Sequence, residues 1–305
     1  MNKQTITVAL GAFVWSIVLG TALAKPPAGG AGVHMQKGIE MAQQKQYDAA
    51  VGEFTKAIEA NPKDPRGYTN RGTAYRASSR LPDAYADFSK AIEVAPKDEV
   101  AYRERGMTAV MQSQFDAALP DFEKAIQLKP DDPYAYKFRG YAEIGLNQWD
   151  KASADFTLVI QKQPDDAQSY DRRAWANRNL KNYDAAIADY TVLIQKNPND
   201  AEHLVKRGAT YTAMQDYEKA IADYQAALKL KPDDYDTVQR LQYVQSMLAA
   251  KNAPPPPLVT PTPTPKPGLI TPLNVGLGIA VLIVIAVVVR FLTRGRAEET
   301  STRVR

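Results

Sequence analysis

Shifted by 34 residues, the sequence lies over itself, and this period limits the possible folds more than any local propensity does. The shift superimposes Gly38, Gly72, Gly106, Gly140 and Gly208, with Ala174 holding the place in the fifth copy. It also aligns Ala50, Ala84, Ala118, Ala152, Ala186 and Ala220, and the aromatics Phe54, Phe88, Phe122, Phe156, Tyr190 and Tyr224. Prolines recur in the same way at 62, 96, 130, 164, 198 and 232. A period of this length marks a solenoid, whose units bury their apolar faces only against their neighbours. Six copies (31–64, 65–98, 99–132, 133–166, 167–200 and 201–234) make up most of the chain.

Each copy reads as two antiparallel helices, A then B, so the fold class is all-α. In the sixth copy, apolar or small residues at Leu204, Gly208, Tyr211 and Ala213 fall on one face of helix A. Ala220, Ala222, Tyr224, Ala227 and Leu228 mark helix B. Small residues at the recurring glycine and alanine positions let two backbones approach, and the aromatic fills the gap beside them. Helix B is expected to open at an acidic cap just after an aromatic, as at Tyr47-Asp48, Phe115-Asp116, Trp149-Asp150 and Tyr183-Asp184, and to stop before the repeat proline. The next helix A opens at Asp64-Pro65 or Asp132-Pro133, where the proline's missing N–H costs nothing.

These residues at these spacings resemble the tetratricopeptide repeat (TPR). The resemblance covers 31–234 and extends to a final helix, 235–251, that looks like the family's solvating cap; it implies a right-handed α-solenoid of six helix-turn-helix repeats. The departures lie at the ends. The family's large aromatic near the repeat start is Tyr68, Tyr102, Tyr136 and Tyr170 here, but His34 and Leu204 in the end copies. Terminal repeats of such arrays are usually atypical.

Charge also repeats. Position 7 of each copy is Arg71, Arg105, Arg139, Arg173 and Arg207, with Lys37 in the first; position 23 is Asp87, Asp121, Asp155, Asp189 and Asp223, with Glu53 in the first. A cation on helix A matched by an acid on helix B in every copy predicts a partly buried pair that fixes helix register. Groups that recur in every unit are architecture, so function is sought in what varies.

In proteins similar to this one, helix A lines the concave face, notably at repeat positions 2, 5, 9 and 12. From copy two to copy five these are Arg66, Thr69, Thr73, Arg76; Val100, Arg103, Met107, Val110; Tyr134, Lys137, Tyr141, Ile144; and Gln168, Asp171, Trp175, Arg178. The candidate partner-binding residues are Arg66, Arg76, Arg103, Met107, Tyr134, Lys137, Tyr141, Asp171, Trp175 and Arg178. Interleaved aromatics and cations suit an extended peptide or a partner's helix bearing acidic and apolar side chains, with Tyr141 and Trp175 as anchors. The alternative is that these aromatics pack against adjacent helices. TPR domains that grip a chaperone's C-terminal carboxylate use a lysine and two asparagines, then a lysine and an arginine. The corresponding positions here are Met35, Ile39, Asn70, Val100 and Glu104, and only the asparagine survives, so that clamp is not supported.

The ends differ in composition from the repeats. Residues 1–24 carry one lysine and then an uncharged run closed by Ala22-Leu23-Ala24, the A-x-A pattern of a cleaved secretory signal; an uncleaved anchor is the alternative. A short linker, 25–30, leads into the repeats. After Lys251 the chain turns proline-rich (252–272), a stalk whose roughly 15 residues from Pro254 to Gly268 span about 45 Å in polyproline II form. Residues 273–292 read as a single transmembrane helix, and the arginines at 290, 294 and 296 put the 293–305 tail on the cytoplasmic side. The expected protein is thus a single-pass membrane protein with its repeats outside the cytoplasm, on the periplasmic side of a bacterial envelope.

The whole chain has a net charge of +4, but Lys3, Lys25 and the charges after Lys251 contribute +6, leaving the repeats at −2. A slightly acidic solenoid is a poor binder of nucleic-acid phosphates. Cysteine is absent, which excludes disulfides, thiolate metal sites and cysteine nucleophiles. The two histidines, His34 and His203, lie in different copies, and no phosphate loop, metal cluster or nucleophile elbow is present, so no catalytic residue, metal or cofactor is expected. The paired acids Asp131-Asp132, Asp165-Asp166 and Asp233-Asp234 read as capping turns. The sequence therefore predicts a membrane-tethered scaffold or adaptor for a protein partner. The other reading is a structural subunit that assembles with copies of itself or within a fixed envelope complex.

Overall fold

The computed structural model describes residues 30–253 and 285–286. Thirteen α-helices occupy 30–252, and no strand occurs among the described residues. In chain order they are α1 Gly30–Gln43, α2 Tyr47–Ala60, α3 Pro65–Ala77, α4 Leu81–Val94, α5 Glu99–Met111, α6 Phe115–Leu128, α7 Pro133–Gly145, α8 Trp149–Lys162, α9 Ala167–Asn179, α10 Tyr183–Lys196, α11 Ala201–Ala213, α12 Tyr217–Leu230 and α13 Tyr235–Asn252. Odd-numbered α1–α11 are the A helices, even-numbered α2–α12 the B helices, and α13 packs on α12 as the expected final helix. The expected signal, stalk, membrane span and tail lie almost wholly outside the described residues. Among the described residues no helix is long and apolar enough to cross a membrane.

Each A helix packs on its own B helix, and each B helix packs on the next A helix. In the first four copies consecutive A helices also touch one another, which places the A helices on the inside of the stack. The expected close approach is present. A Cβ built on Gly72 would sit 3.0 Å from the Phe88 ring, and one on Gly106 2.9 Å from Phe122. Phe88, Phe122, Phe156, Tyr190 and Tyr224 are each at most 1% exposed. Between copies, Phe115, Tyr141, Ile144 and Phe156 join one apolar cluster that runs from α5 to α9. Ala213, read as part of the apolar face of helix A in the sixth copy, and Ala222, read as marking helix B, are exposed.

The turn from A to B corrects the expected capping. Helix B begins at the aromatic itself, so Asp48, Asp116, Asp150 and Asp184 lie in the first turn, where they favour the helix's positive end without capping it. The residues before them, Gln46, Gln114, Gln148 and Asn182, make no side-chain cap bond. The turn is instead organised from the end of helix A. Lys45, Ser79, Ser113, Asn147, Lys181 and Gln215 all adopt φ of 59–63°, without a glycine among them. In copy two the Arg80 N–H bonds the Tyr75 carbonyl and the Ser79 N–H bonds the Arg76 carbonyl, the paired backbone bonds that close a helix on a left-handed residue. The same two bonds recur in all six copies.

At the B-to-A junctions the expected caps Asp64 and Asp132 are present, and Asp98 and Asp200, which the sequence reading did not name, act in the same way: each side chain accepts from the backbone N–H two residues on. Asp166 departs from this pattern. It makes no cap bond to the backbone and instead accepts from the Ser169 hydroxyl at 2.7 Å and pairs with Lys137 at 2.8 Å.

The predicted register pair forms in five copies, each time with two parallel N–H···O bonds. Arg71–Asp87, Arg105–Asp121, Arg139–Asp155, Arg173–Asp189 and Arg207–Asp223 are joined at 2.6–2.9 Å. The first copy differs: Glu53 takes His34 Nδ1 at 2.7 Å and Lys56 Nζ at 2.6 Å, both nearer than the expected Lys37. The arginines also reach backwards. Nη1 of Arg71, Arg105, Arg173 and Arg207 donates to Thr55, Ser89, Thr157 and Thr191 of the preceding copy, so one guanidinium ties three helices together. For Arg139 the corresponding residue of the preceding copy is Glu123, a third acid near Arg139 after Asp155 and Glu143.

Candidate functional site: the inner face of the A helices

The A helices place the ten candidate residues at successive levels of the stack, and burial divides them. Arg76, Arg103, Met107, Lys137 and Tyr141 are at most 7% exposed, so they form the floor. Tyr134, Asp171, Trp175 and Arg178 are half-buried, and Arg66 is exposed.

Most of the buried cations are already neutralised from within. Arg76 reaches from α3 to Glu104 on α5 at 2.6 Å and stacks on Phe88 with its centre 5.5 Å from the ring. Arg103 bonds Glu104 at 3.2 Å and also Asp132 at the start of α7. Burial alone would raise the Glu104 carboxyl; the guanidiniums of Arg76 and Arg103 more than reverse this and hold it below its ordinary value. Lys137 is taken by Asp166 at 2.8 Å. At the next level the signs exchange: Asp171 on α9 takes Lys206 of α11 at 2.6 Å, and Lys206 also holds Glu202 at 2.7 Å. Arg66 folds back onto its own cap, Asp64, at 2.7 Å.

Two cations of α9 make no salt bridge among the described residues: Arg172, which the sequence reading did not single out, and Arg178. Arg172 lies over the Tyr141 ring at 5.8 Å, with its Nε buried and unpartnered. Gln168 Oε1 is likewise buried without a hydrogen-bond partner, while the buried Tyr141 hydroxyl faces the Arg172 guanidinium at poor hydrogen-bond geometry. Desolvation pushes the Tyr141 hydroxyl well above its ordinary pKa, so it stays protonated and available as a donor. Of the two expected anchors, Tyr141 belongs to the floor, edge-on to Phe156 with ring centres 5.6 Å apart. Trp175 packs edge-on to Trp149 at 5.1 Å while staying partly open, so packing and exposure coexist there. Neither absence of pairing was legible beforehand, because it depends on which side chains α7 and α11 present to α9.

Chemically the face offers aromatic surface, hydrogen-bond donors and a few unpaired cations. Among the described residues no group of three or more His, Asp or Glu side chains is placed to hold a metal ion.

Comparison with known proteins agrees with the fold. Tetratricopeptide repeat models match 36–99, 103–167, 139–201 and 201–234. Hsp70-Hsp90 organizing protein 2 of Arabidopsis thaliana is 40% identical over 48 residues, 16% of this chain and 8% of that protein. Tetratricopeptide repeat protein 36 of Caenorhabditis elegans is 40% identical over 45 residues, 15% of this chain and 25% of that one. The matches thus span a quarter or less of these curated relatives. Among solved structures, YrrB, described as a TPR protein with an unusual peptide-binding site, superposes with a TM-score of 0.57 at 23% identity, covering 62% of this chain and 97% of its own. PilF of Pseudomonas aeruginosa gives 0.59 at 15% identity, covering 72% and 97%. The repeat models cover more than half of the sequence, and the chain belongs to the tetratricopeptide repeat family.

Proposed function

We propose that this chain is a scaffold that receives a protein partner, as an extended peptide or a helix, along the inner face of copies three to five and holds it at a membrane. The observation that carries the reading is the exposed remainder of that face: half-buried Tyr134 on α7 and Trp175 on α9, with two α9 arginines that make no salt bridge among the described residues. Open aromatic and guanidinium surface of this kind is what anchors partners at interfaces. YrrB's peptide-binding site and the chaperone-organizing role in the name of the Arabidopsis relative fit such a use. The membrane part rests on sequence alone. The apolar run 273–292, followed by arginines, would tether the solenoid through the proline-rich segment and raise its effective concentration near partners in the same compartment; with the N-terminal signal it would put the repeats outside the cytoplasm.

The test is crosslinking of the full-length protein in its native membrane beside a Tyr134→Ala, Trp175→Ala variant. These two are better probes than Lys137 or Tyr141, whose burial makes their loss a folding defect. A partner lost from the variant while helicity is retained supports the scaffold. Crosslinks to the same chain only, in both proteins, would replace it with a self-assembling subunit.

A further inference from the structure

Five copies fill repeat position 21, on helix B, with a bulky apolar side chain: Val51, Tyr85, Leu119, Ile187 and Ile221. Of these, Val51, Tyr85, Leu119 and Ile221 pack against apolar clusters of the stack. Copy four has Ser153 instead, whose Oγ donates to Oδ1 of Asn177 on α9 at 3.0 Å. With so short a side chain at this place, an open cleft of about 540 Å³ lies between α8 and the turn from α9 to α10, lined by Asp150, Ser153, Leu158, Asn177, Leu180 and Asn182. Two further features mark it. Position 26 is Lys56, Lys90 and Lys124 in the first three copies and Val192 and Ala226 in the last two, but here it is Leu158, 37% exposed. Asn177 is 7% exposed, and its amide nitrogen has no partner among the described residues. One exposed leucine means little by itself. A cleft where the period calls for an apolar side chain, with an unpartnered amide in its wall, means more.

We infer that this cleft, on the B-helix side of the stack, docks a partner segment that presents one branched aliphatic side chain, isoleucine or leucine, with a lysine or arginine beside it. The inference is independent of the reading of the inner face. The other copies say what fits: four of the five close this place with an aliphatic side chain of their own, so a side chain that closes it from outside has the same size and chemistry. Burial against Leu158 and Leu180 supplies most of the affinity. A backbone carbonyl of the segment takes the amide nitrogen of Asn177, which would otherwise be covered without a partner. Asp150 provides the charge complementarity. It is exposed, lines the cleft and makes no salt bridge among the described residues. The same acid recurs as Asp48, Asp116 and Asp184, so its origin is architectural, but here it borders a vacant apolar site. An exposed ion pair of this kind adds orientation more than affinity. The volume lies within the range of sites that bury a ligand.

The probe is a phage-displayed library of random dodecapeptides selected on full-length wild type in detergent, with the enriched peptides then titrated by fluorescence anisotropy. They are expected to share an isoleucine or leucine next to a lysine or arginine. Ser153→Leu, which puts back the side chain the period calls for, is expected to weaken their binding by about tenfold or more while helicity and thermal midpoint hold. Asp150→Asn is expected to weaken it about threefold. Tyr134→Ala with Trp175→Ala should leave it unchanged. If losing the Ser153–Asn177 bond loosens the fold, Ser153→Leu with Asn177→Ala keeps the comparison valid, because it copies the packing of Tyr85 with Ala109 between copies two and three. No enriched peptide, or peptides that bind Ser153→Leu as tightly as wild type, overturn the cleft; where those peptides are lost in Tyr134→Ala, Trp175→Ala, the inner-face reading stands without it. Peptides lost in Ser153→Leu but indifferent to Asp150→Asn overturn the stated partner chemistry. A wild type that sediments as an oligomer, beside a monomeric Ser153→Leu, makes the occupant a second copy and overturns the partner segment.

Discussion

Two sets of ion pairs hold the stack together, and they differ in how they repeat. The pairs inside each copy, such as Arg105–Asp121, recur from copy two to copy six with the same residues and the same two-pronged geometry. The pairs between consecutive A helices vary more: Arg103–Asp132 recurs one copy on as Lys137–Asp166, whereas Arg76 and Arg103 on Glu104 occur once, and Asp171–Lys206 has the signs exchanged. A bond that recurs with the period can only set architecture, since every copy has it. Bonds that change give the inner face a charge that differs along the stack, and they leave two cations of α9, Arg172 and Arg178, without a salt bridge.

The contrast predicts unequal costs when an acid is removed. Glu104→Ala leaves Arg76 and Arg103, with side chains 1% and 9% exposed, lacking their shared partner, and is expected to cost about 3–5 kcal/mol. Asp121→Ala leaves only Arg105, whose side chain is 23% exposed and can turn to water, so about 2–3 kcal/mol is expected. Solenoids need not unfold in one step, so the measurement is hydrogen exchange resolved by copy during urea titration. Equal losses would show that the two kinds of pair matter alike, and a larger loss for Asp121→Ala that the repeated pair carries more of the stability. A sharper version replaces Arg76 and Glu104 together by apolar residues of similar volume, leaving Arg103 to Asp132. If the cluster serves specificity more than stability, that variant is as stable as wild type or more so.

This difference also decides what the sequence could reveal. Gly106 against Phe122 and Arg105 against Asp121 were legible because a 34-residue shift lines up each partner with its counterparts, and the period supplies five independent readings of one contact. Lys37 and Glu53 kept the signs of the pattern, yet His34 and Lys56 lie closer to Glu53 in the folded first copy. The Glu104 contacts exist once, so no comparison between copies exposes them. Burial of Lys137 and Tyr141 was likewise hidden, because periodicity locates a helix face without saying how deeply the neighbouring copy covers it. The left-handed turn residues escaped for a different reason. They repeat in conformation but not in chemistry, since the Schellman closure is made by backbone groups and Lys45, Ser79 and Asn147 serve it alike.

Copy four places a lone acid against a repeated pair, which gives a pH-dependent form of the comparison. Glu143 is 4% exposed, with Oε2 unpartnered and Oε1 3.9 Å from Arg139, which is engaged by Asp155. Burial, reinforced by the Asp155 charge, pushes its carboxyl up to about 8. An acid whose pKa is raised by folding costs nothing while it is protonated in both states. Its penalty grows as pH rises above the unfolded value and stops growing once pH passes the folded one. Wild-type stability is therefore expected to fall by about 1 kcal/mol between pH 6 and 7, near the limit of ~1.4 kcal/mol per pH unit for one proton. Glu143→Gln should flatten this slope, measured as the thermal midpoint at the two pH values. An unchanged slope would mean that Glu143 is ionised in the folded protein.

The smallest effect concerns the one copy that breaks the glycine pattern. Ala174 is fully buried and its methyl lies in the cluster that contains Tyr190, so the fifth copy accommodates a Cβ that the others lack. Ala174→Gly restores the pattern but places a glycine inside a helix, and is expected to cost about 0.5–1 kcal/mol. The reverse change, Gly106→Ala, gains that helix propensity but must move the Phe122 ring from 2.9 Å and meets Asp121 Cβ at 3.2 Å. The ring is the end of a side chain, whereas Asp121 Cβ is held by the bond to Arg105, so the repeated ion pair limits how far the copy can yield. Gly106→Ala should therefore gain less than Ala174→Gly loses when midpoints are compared. If Asp121→Ala, Gly106→Ala recovers stability relative to Asp121→Ala alone by more than the glycine change does in wild type, it is the register pair that keeps a glycine in the other copies. If the two increments are equal, the aromatic ring alone does so.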